Sequence, residues 1–210
     1  MRFVKKELSE LNRLNVEEFK AKTKIPLVVV LDNIRSQHNV GAIFRTSDAF
    51  LVEKIYLCGI TATPPNREIH KAALGATESV DWSYFEKTID AVNHLKNQGF
   101  SIFALEQTQH SFSLFDFGRN FDTDTLAEER HCEGGTTEAI SGLLRLTARN
   151  DETSKSIALI LGNEVDGISD EVMPLIDGAL EIPQFGTKHS LNVSVSAGIA
   201  IWEMFKLLAK

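Results

Sequence analysis

Arg45 ends the first of three clusters in this chain whose residue types could carry chemistry: Asn39-Val40-Gly41-Ala42-Ile43-Phe44-Arg45. A guanidinium stays protonated in proteins. It can grip a phosphate or stabilise developing negative charge, but it is a poor general base. With Phe44 and Phe50 nearby, Arg45 reads as half-buried and in need of a carboxylate or phosphate partner. Asn39 falls where a helix should begin, and a plain N-cap is the simpler account of it. The second cluster is Leu161-Gly162-Asn163-Glu164-Val165-Asp166-Gly167-Ile168. Its glycines let backbone approach a ligand, although the same residues suit an ordinary strand-to-helix turn. In the third cluster, Ile182-Pro183 and Gly186 lead into Ser190-Leu191-Asn192 and Val193-Ser194-Val195-Ser196. Ser190 and Asn192 could cap the last helix. The β-branched and hydroxyl residues that follow are poor helix-start chemistry, and point to a surface fitted closely to something else.

The elements that must position these clusters follow from hydrophobic patterning. Residues 27–31, 54–58, 82–85, 100–105, 157–161 and 179–182 read as strands. The run Leu27-Val28-Val29-Val30-Leu31 is wholly apolar, as strands buried on both faces of a parallel sheet are. Helices are expected at 40–50, with Ile43, Phe44 and Ala49 inward, at 68–74, at 88–98 with Thr88 as cap, at 169–176 and at 190–208. Asn15 and Glu18 have capping-box spacing in a short helical extension over 1–25 that precedes the main domain at 26–210. Strands alternating with helices make the fold α/β with a mostly parallel sheet. Sites in such folds lie beyond the carboxyl ends of strands. Four polar segments sit there: Asp32 to Arg35, Glu106-Gln107, Gly162 to Glu164, and Pro183 to Asn192. Residues 118–156 break the rhythm as a polar, acidic insertion, with Ile140, Leu143, Leu144 and Thr147 at helical spacing.

Several chemistries find no support. No Gly-x-Gly-x-x-Gly follows a strand, and no Gly-x-Ser-x-Gly elbow exists. Gly186-Thr187-Lys188 lacks the earlier glycine of a phosphate loop. The six histidines lack metal-ligand spacing, so no metal is expected. No run is long enough to span a membrane, and the N-terminus has no secretory pattern. Cys58 reads as a buried strand thiol and Cys132 lies in a polar stretch, which suits a reduced cytosolic setting. A net charge of −7 argues against a generic nucleic-acid binder. Residues 1–71 nevertheless carry a balance of +4 and the rest −11, which leaves room for a phosphate-facing surface.

The three clusters, in this order and each after a strand, resemble the motifs of the SpoU (TrmH-like) branch of the SPOUT RNA methyltransferases. Asn39-x-Gly41-x-x-x-Arg45 resembles the first motif. Leu161-Gly162-Asn163-Glu164-x-x-Gly167-Ile168 resembles the second, and Ile182-Pro183-x-x-Gly186-x-x-x-Ser190-Leu191-Asn192-Val193-Ser194-Val195 the third. The segment Lys71 to Ala76 is also similar to one of the family's. The resemblance covers the chain from about Pro26 onward, apart from the insertion, and implies an α/β domain with a C-terminal trefoil knot. It further implies S-adenosyl-L-methionine as cofactor, a homodimer, and methyl transfer to a ribose 2′-hydroxyl of tRNA or rRNA. On the same basis Leu105, Gly162, Asn163, Ile182, Pro183, Ser190 and Leu191 would hold the cofactor. Arg45 would be catalytic, gripping a substrate phosphate whose oxygen is a candidate proton acceptor. Asn39, Glu164, Ser190 and Asn192 would orient Arg45 or the ribose, with Glu164 pairing Arg45 as the structural alternative. A non-catalytic RNA-binding or assembly factor on the same fold and an unrelated α/β enzyme with a nucleotide ligand are the rival readings.

Overall fold

The computed structural model describes residues 3–120 and 156–209. The acidic insertion, its helical spacing and Cys132 therefore lie almost wholly outside the described residues. After a 3-10 turn at Leu8–Leu11, helix α1 (Val16–Ala21) starts with the expected capping box. Asn15 Oδ1 accepts from the Glu18 N–H at 2.9 Å, and Glu18 Oε2 accepts from the Asn15 N–H at 2.9 Å. Phe19 of α1 is buried in the main core, which joins this extension to the sheet domain.

The chain then alternates as β1 (Ile25–Asp32), α2 (Gln37–Ala49), β2 (Val52–Cys58), α3 (Arg67–Ala73), α4 (Ala76–Ser79), β3 (Asp81–Phe85), α5 (Thr88–Asn97) and β4 (Ser101–Leu105). A two-residue strand β5 (Phe112–Ser113) and helix α6 (Leu114–Asn120) precede the insertion. After it come β6 (Ile157–Leu161), β7 (Gly178–Glu181) and α7 (Val193–Leu208). One seven-stranded sheet runs β3-β2-β1-β6-β4-β7-β5, with every pairing parallel. Strand alternation divides the core in two. Leu27, Val29 and Leu31 face one layer with residues of α2, α3 and α7, while Val28 and Val30 face the other with Ala91, Val92 and Leu95 of α5.

Four details differ from the sequence reading. Ala49 is exposed, because the inward face of α2 is Val40, Ile43, Phe44 and Ser47. Thr88 is the first residue of α5 rather than its cap, and its hydroxyl donates instead to buried Asp32. No helix forms over 169–176. Ser169 is drawn away to Asp32 through its N–H at 2.7 Å, and only a 3-10 turn at Met173–Leu175 follows. The last helix starts at Val193, with Asn192 as its cap, so Ser190 stays in the loop.

Candidate active site

The chain runs outward from β1 to β3 and returns to fill the other half of the sheet from β4. This makes a switch in strand order beside β1, where open α/β sheets place their ligand crevice. A cavity of about 500 Å³ lies at the carboxyl ends of β4, β6 and β7. Leu105 and Glu106 supply one wall and Gly162 to Val165 another. Leu180 to Ile182 and Ser190 to Val193 close it. The volume suits a ligand of cofactor size.

The β6 wall is a tight loop. Asn163 and Gly167 exchange backbone hydrogen bonds at 2.8 and 3.0 Å. Asn163, nearly fully buried, uses its whole amide internally. Its Oδ1 accepts from the Val165 and Asp166 N–H groups at 2.8 and 3.2 Å, and its Nδ2 donates to the Asn33 carbonyl at 2.7 Å. A Cβ at Gly162 would lie 2.4 Å from the Gly167 carbonyl carbon, so only glycine permits the closure. Asp32 anchors the loop's far end. Its carboxylate accepts from the Ser169 N–H and hydroxyl at 2.7 and 3.0 Å and from Asn33 Nδ2 at 2.8 Å. Burial, then Asp32, push the adjacent Cys58 thiol up to about 12, only partly offset by the Thr88 hydroxyl.

A hydrogen-bond chain links the three sequence clusters. Asn39 is not an N-cap, since Ser36 takes that role by accepting from the Asn39 N–H. Asn39 sits buried in the first turn of α2. Its Nδ2 donates to Glu164 Oε1 at 3.0 Å and its Oδ1 accepts from Asn192 Nδ2 at 3.2 Å. Asn192 Oδ1 in turn accepts from the Ser194 N–H at 2.9 Å, capping α7. Glu164 Oε2 accepts from the Arg35 N–H at 3.3 Å. Burial alone would raise the Glu164 carboxyl. The hydrogen bond from Asn39, together with backbone donors at 164, 35 and 36, outweighs it and holds the group below the usual carboxylate range.

Of the residues singled out from sequence, Leu105, Gly162, Asn163, Glu164, Ile182, Ser190, Leu191 and Asn192 line the cavity, and Asn39 joins it through Glu164 and Asn192. Pro183 is exposed and does not line it. Arg45 is not half-buried. It is exposed, lies outside the cavity lining, and makes no hydrogen bond or ion pair among the described residues. Glu164 therefore pairs with Asn39 rather than with Arg45. Glu106, Asp32 and Arg35, polar residues at or just beyond strand ends, lie outside the three family motifs yet take part in the site. Among the described residues, no three His, Cys, Asp or Glu side chains are grouped to hold a metal.

The sequence pattern of the SpoU rRNA Methylase family matches residues 26–202. The tRNA (guanosine(18)-2′-O)-methyltransferase of Aquifex aeolicus is 30% identical over 192 residues, 90% of this chain and 72% of that protein. A 23S rRNA (guanosine-2′-O-)-methyltransferase of Vibrio vulnificus is 26% identical over 198 residues, 94% of this chain and 66% of that one. The crystal structure of the A. aeolicus TrmH/SpoU tRNA modifying enzyme aligns with a TM-score of 0.67 at 23% identity, over 91% of this chain and 81% of that one. An AdoMet-bound rRNA methyltransferase from Sinorhizobium meliloti aligns at 0.66 and 23%, over 90% and 60%. A pattern match over most of the chain falls on the same three segments that the hydrogen-bond chain draws together, and the protein belongs to the SpoU rRNA methylase family.

Proposed function

We infer that the protein is an S-adenosylmethionine-dependent RNA methyltransferase that methylates a ribose 2′-hydroxyl of tRNA or rRNA. The observation that carries this reading is the convergence of three separated strand ends on one cavity, tied by Asn39, Glu164 and Asn192. The names of the A. aeolicus and V. vulnificus relatives support it. The lining fits the donor: Glu106, Glu164 and Glu181 stand on the wall, with no lysine or arginine among the described lining residues, which favours a cationic ligand. When bound, the sulfonium supplies an already activated methyl group. The protein's own task is to place a ribose oxygen in line with it and to help that oxygen lose its proton.

Main chain at Leu105, Gly162, Ile182 and Leu191 lines the adenosine site, with the Asn163 loop shaping it. The Ser190 hydroxyl, without a hydrogen-bond partner among the described residues, is available to the ribose. Asn39, Glu164 and Asn192 hold the walls in register. Arg45, exposed and unpaired among the described residues, takes a substrate phosphate and stabilises charge developing on the ribose oxygen.

A C-terminal trefoil knot is part of the same reading. It is supported by the placement of β7, late in the chain, between β4 and β5, both of which precede it. So is a homodimer, supported by the apolar outer stripe of α7. Mapping 2′-O-methyl sites in total cellular RNA with and without the gene tests the activity. One or more sites should disappear, and an unchanged map with the protein expressed overturns it. Binding of RNA without S-adenosylmethionine in calorimetry would favour the non-catalytic factor instead.

A further inference from the structure

Among the described residues, three carboxylates stand on the cavity wall, and two are bound to other side chains. Glu164 accepts from Asn39 Nδ2, and Glu181 Oε2 accepts from the Ser111 hydroxyl at 2.7 Å. Among the described residues, Glu106 has no side-chain partner. Its Oε1 accepts only from the N–H of its neighbour Gln107 at 2.9 Å, and its Oε2 from the Ile168 N–H at 3.3 Å. A carboxylate offers about four acceptor directions, so roughly two remain open here. The side chain is nevertheless held in place. Its Oε2 fills the space where a Cβ on Gly167 would sit, at 2.6 Å, and Gly167 has φ +72°. Two adjacent acceptors on a fixed carboxylate match a pair of neighbouring hydroxyl donors. A phosphate would be repelled there. Glu106 also directly follows Leu105, at the strand end that borders the nucleoside site.

We propose that Glu106 accepts hydrogen bonds from the 2′- and 3′-hydroxyls of the donor's own ribose, and so makes the cavity selective for a ribonucleoside cofactor. The inference rests on the reading of this cavity as the methyl-donor site. Titration calorimetry with S-adenosylhomocysteine and its 2′,3′-dideoxy analogue tests it on wild type, Glu106→Ala and Glu106→Gln. Wild type should bind the natural compound about tenfold or more tightly than the analogue, as hydrogen bonds to a charged acceptor require. Glu106→Ala should bind both alike, near the wild-type affinity for the analogue. Glu106→Gln keeps an acceptor for the Ile168 N–H. It should melt like wild type while losing most of the discrimination. Equal weakening of both ligands by Glu106→Ala would make Glu106 a brace between two loops and overturn the proposal. So would discrimination that survives in Glu106→Ala. A wild-type protein that binds neither ligand removes the donor site itself, a failure distinct from either of these.

Discussion

Glu164 has two jobs that respond differently to substitution. It is a hydrogen-bond acceptor for buried Asn39 and a negative charge on the cavity wall. Truncation to alanine strands the Asn39 amide, which costs about 1–3 kcal/mol for an unsatisfied buried group and lowers the melting temperature by several degrees. Glu164→Gln keeps an acceptor for Asn39 and removes the charge. Because the folded-state carboxyl lies below its unfolded value, its contribution to stability is complete above the ordinary carboxylate range. That contribution disappears as pH falls through the folded value. Melting curves of wild type and Glu164→Gln should therefore differ by a constant amount near neutrality and converge as pH falls below the ordinary carboxylate range. A difference that persists in acid would mean the charge is not what stabilises the site. Arg45 poses the opposite case. Exposed and unpaired among the described residues, it can be removed without loss of fold. Arg45→Ala should retain the wild-type melting temperature and donor affinity in calorimetry while kcat falls about 10²–10³-fold. Arg45→Lys should recover only part, since an ammonium cannot offer the bidentate fork. Normal turnover by Arg45→Ala would take the residue out of the mechanism.

At the scale of elements, α2 carries both Asn39 and Arg45, and its seat is set by Gly41. A Cβ there would lie 2.5 Å from the Ile69 carbonyl oxygen and 2.7 Å from the Ala72 Cβ, both on α3. The obstacle is backbone, so the helices themselves must part. Gly41→Ala should destabilise by about 1–3 kcal/mol in denaturant unfolding and, by moving Asn39, weaken donor binding as well. A variant as stable as wild type would mean that α2 and α3 have slack. The elements differ in how legible they were from sequence. Buried parallel strands such as Leu27 to Leu31 and Ile157 to Leu161 announce themselves as apolar runs, and the three site segments as clusters after strands. The helical phase of α2 was also readable, because Val40, Ile43, Phe44 and Ser47 form one face and His38, Ala42, Arg45 and Ala49 the other. The chain neighbours Phe44 and Phe50 suggest burial for Arg45, but its face-mates His38, Ala42 and Ala49 leave it exposed. Strand β5 has too few residues to show a period, and the failure of 169–176 to form a helix depends on Asp32, a residue far away in sequence. Long-range polar contacts of that kind leave no local signature. The Asn39–Glu164–Asn192 chain is another, invisible until the sheet brings its members together.

At the scale of the whole molecule, the described residues leave the outer side of α7 apolar and exposed. Helix α7 buries Val193, Ala197, Ala200, Ile201 and Met204 against the sheet layer, as one amphipathic face would. Its opposite side is apolar too: Val195, Ile199 and Trp202 are exposed by 51, 37 and 45%, with Leu191 in line just before the helix. These positions recur at helical spacing and make a continuous stripe rather than scattered surface residues. Trp202 is already held in a ring cluster with Phe50 and Phe205, at centroid distances of 5.4 and 6.0 Å, so the stripe has a rigid aromatic end. In the proposed homodimer a second copy of the chain would cover it, because a stripe meeting its own symmetry mate is self-complementary. A stable pair needs about 800 Å² from each partner, more than one stripe supplies, so neighbouring segments must contribute. Val195→Glu with Ile199→Glu tests this while leaving the Trp202 cluster and the inner face intact. Charges on the solvent side of a helix should hardly alter the far-UV spectrum or the cooperativity of melting. If the stripe is the contact, wild type should sediment as a dimer at micromolar concentration and the double variant as a folded monomer. A wild-type monomer under those conditions, or a double variant that stays dimeric, would assign the exposed apolar side of α7 to something other than self-association.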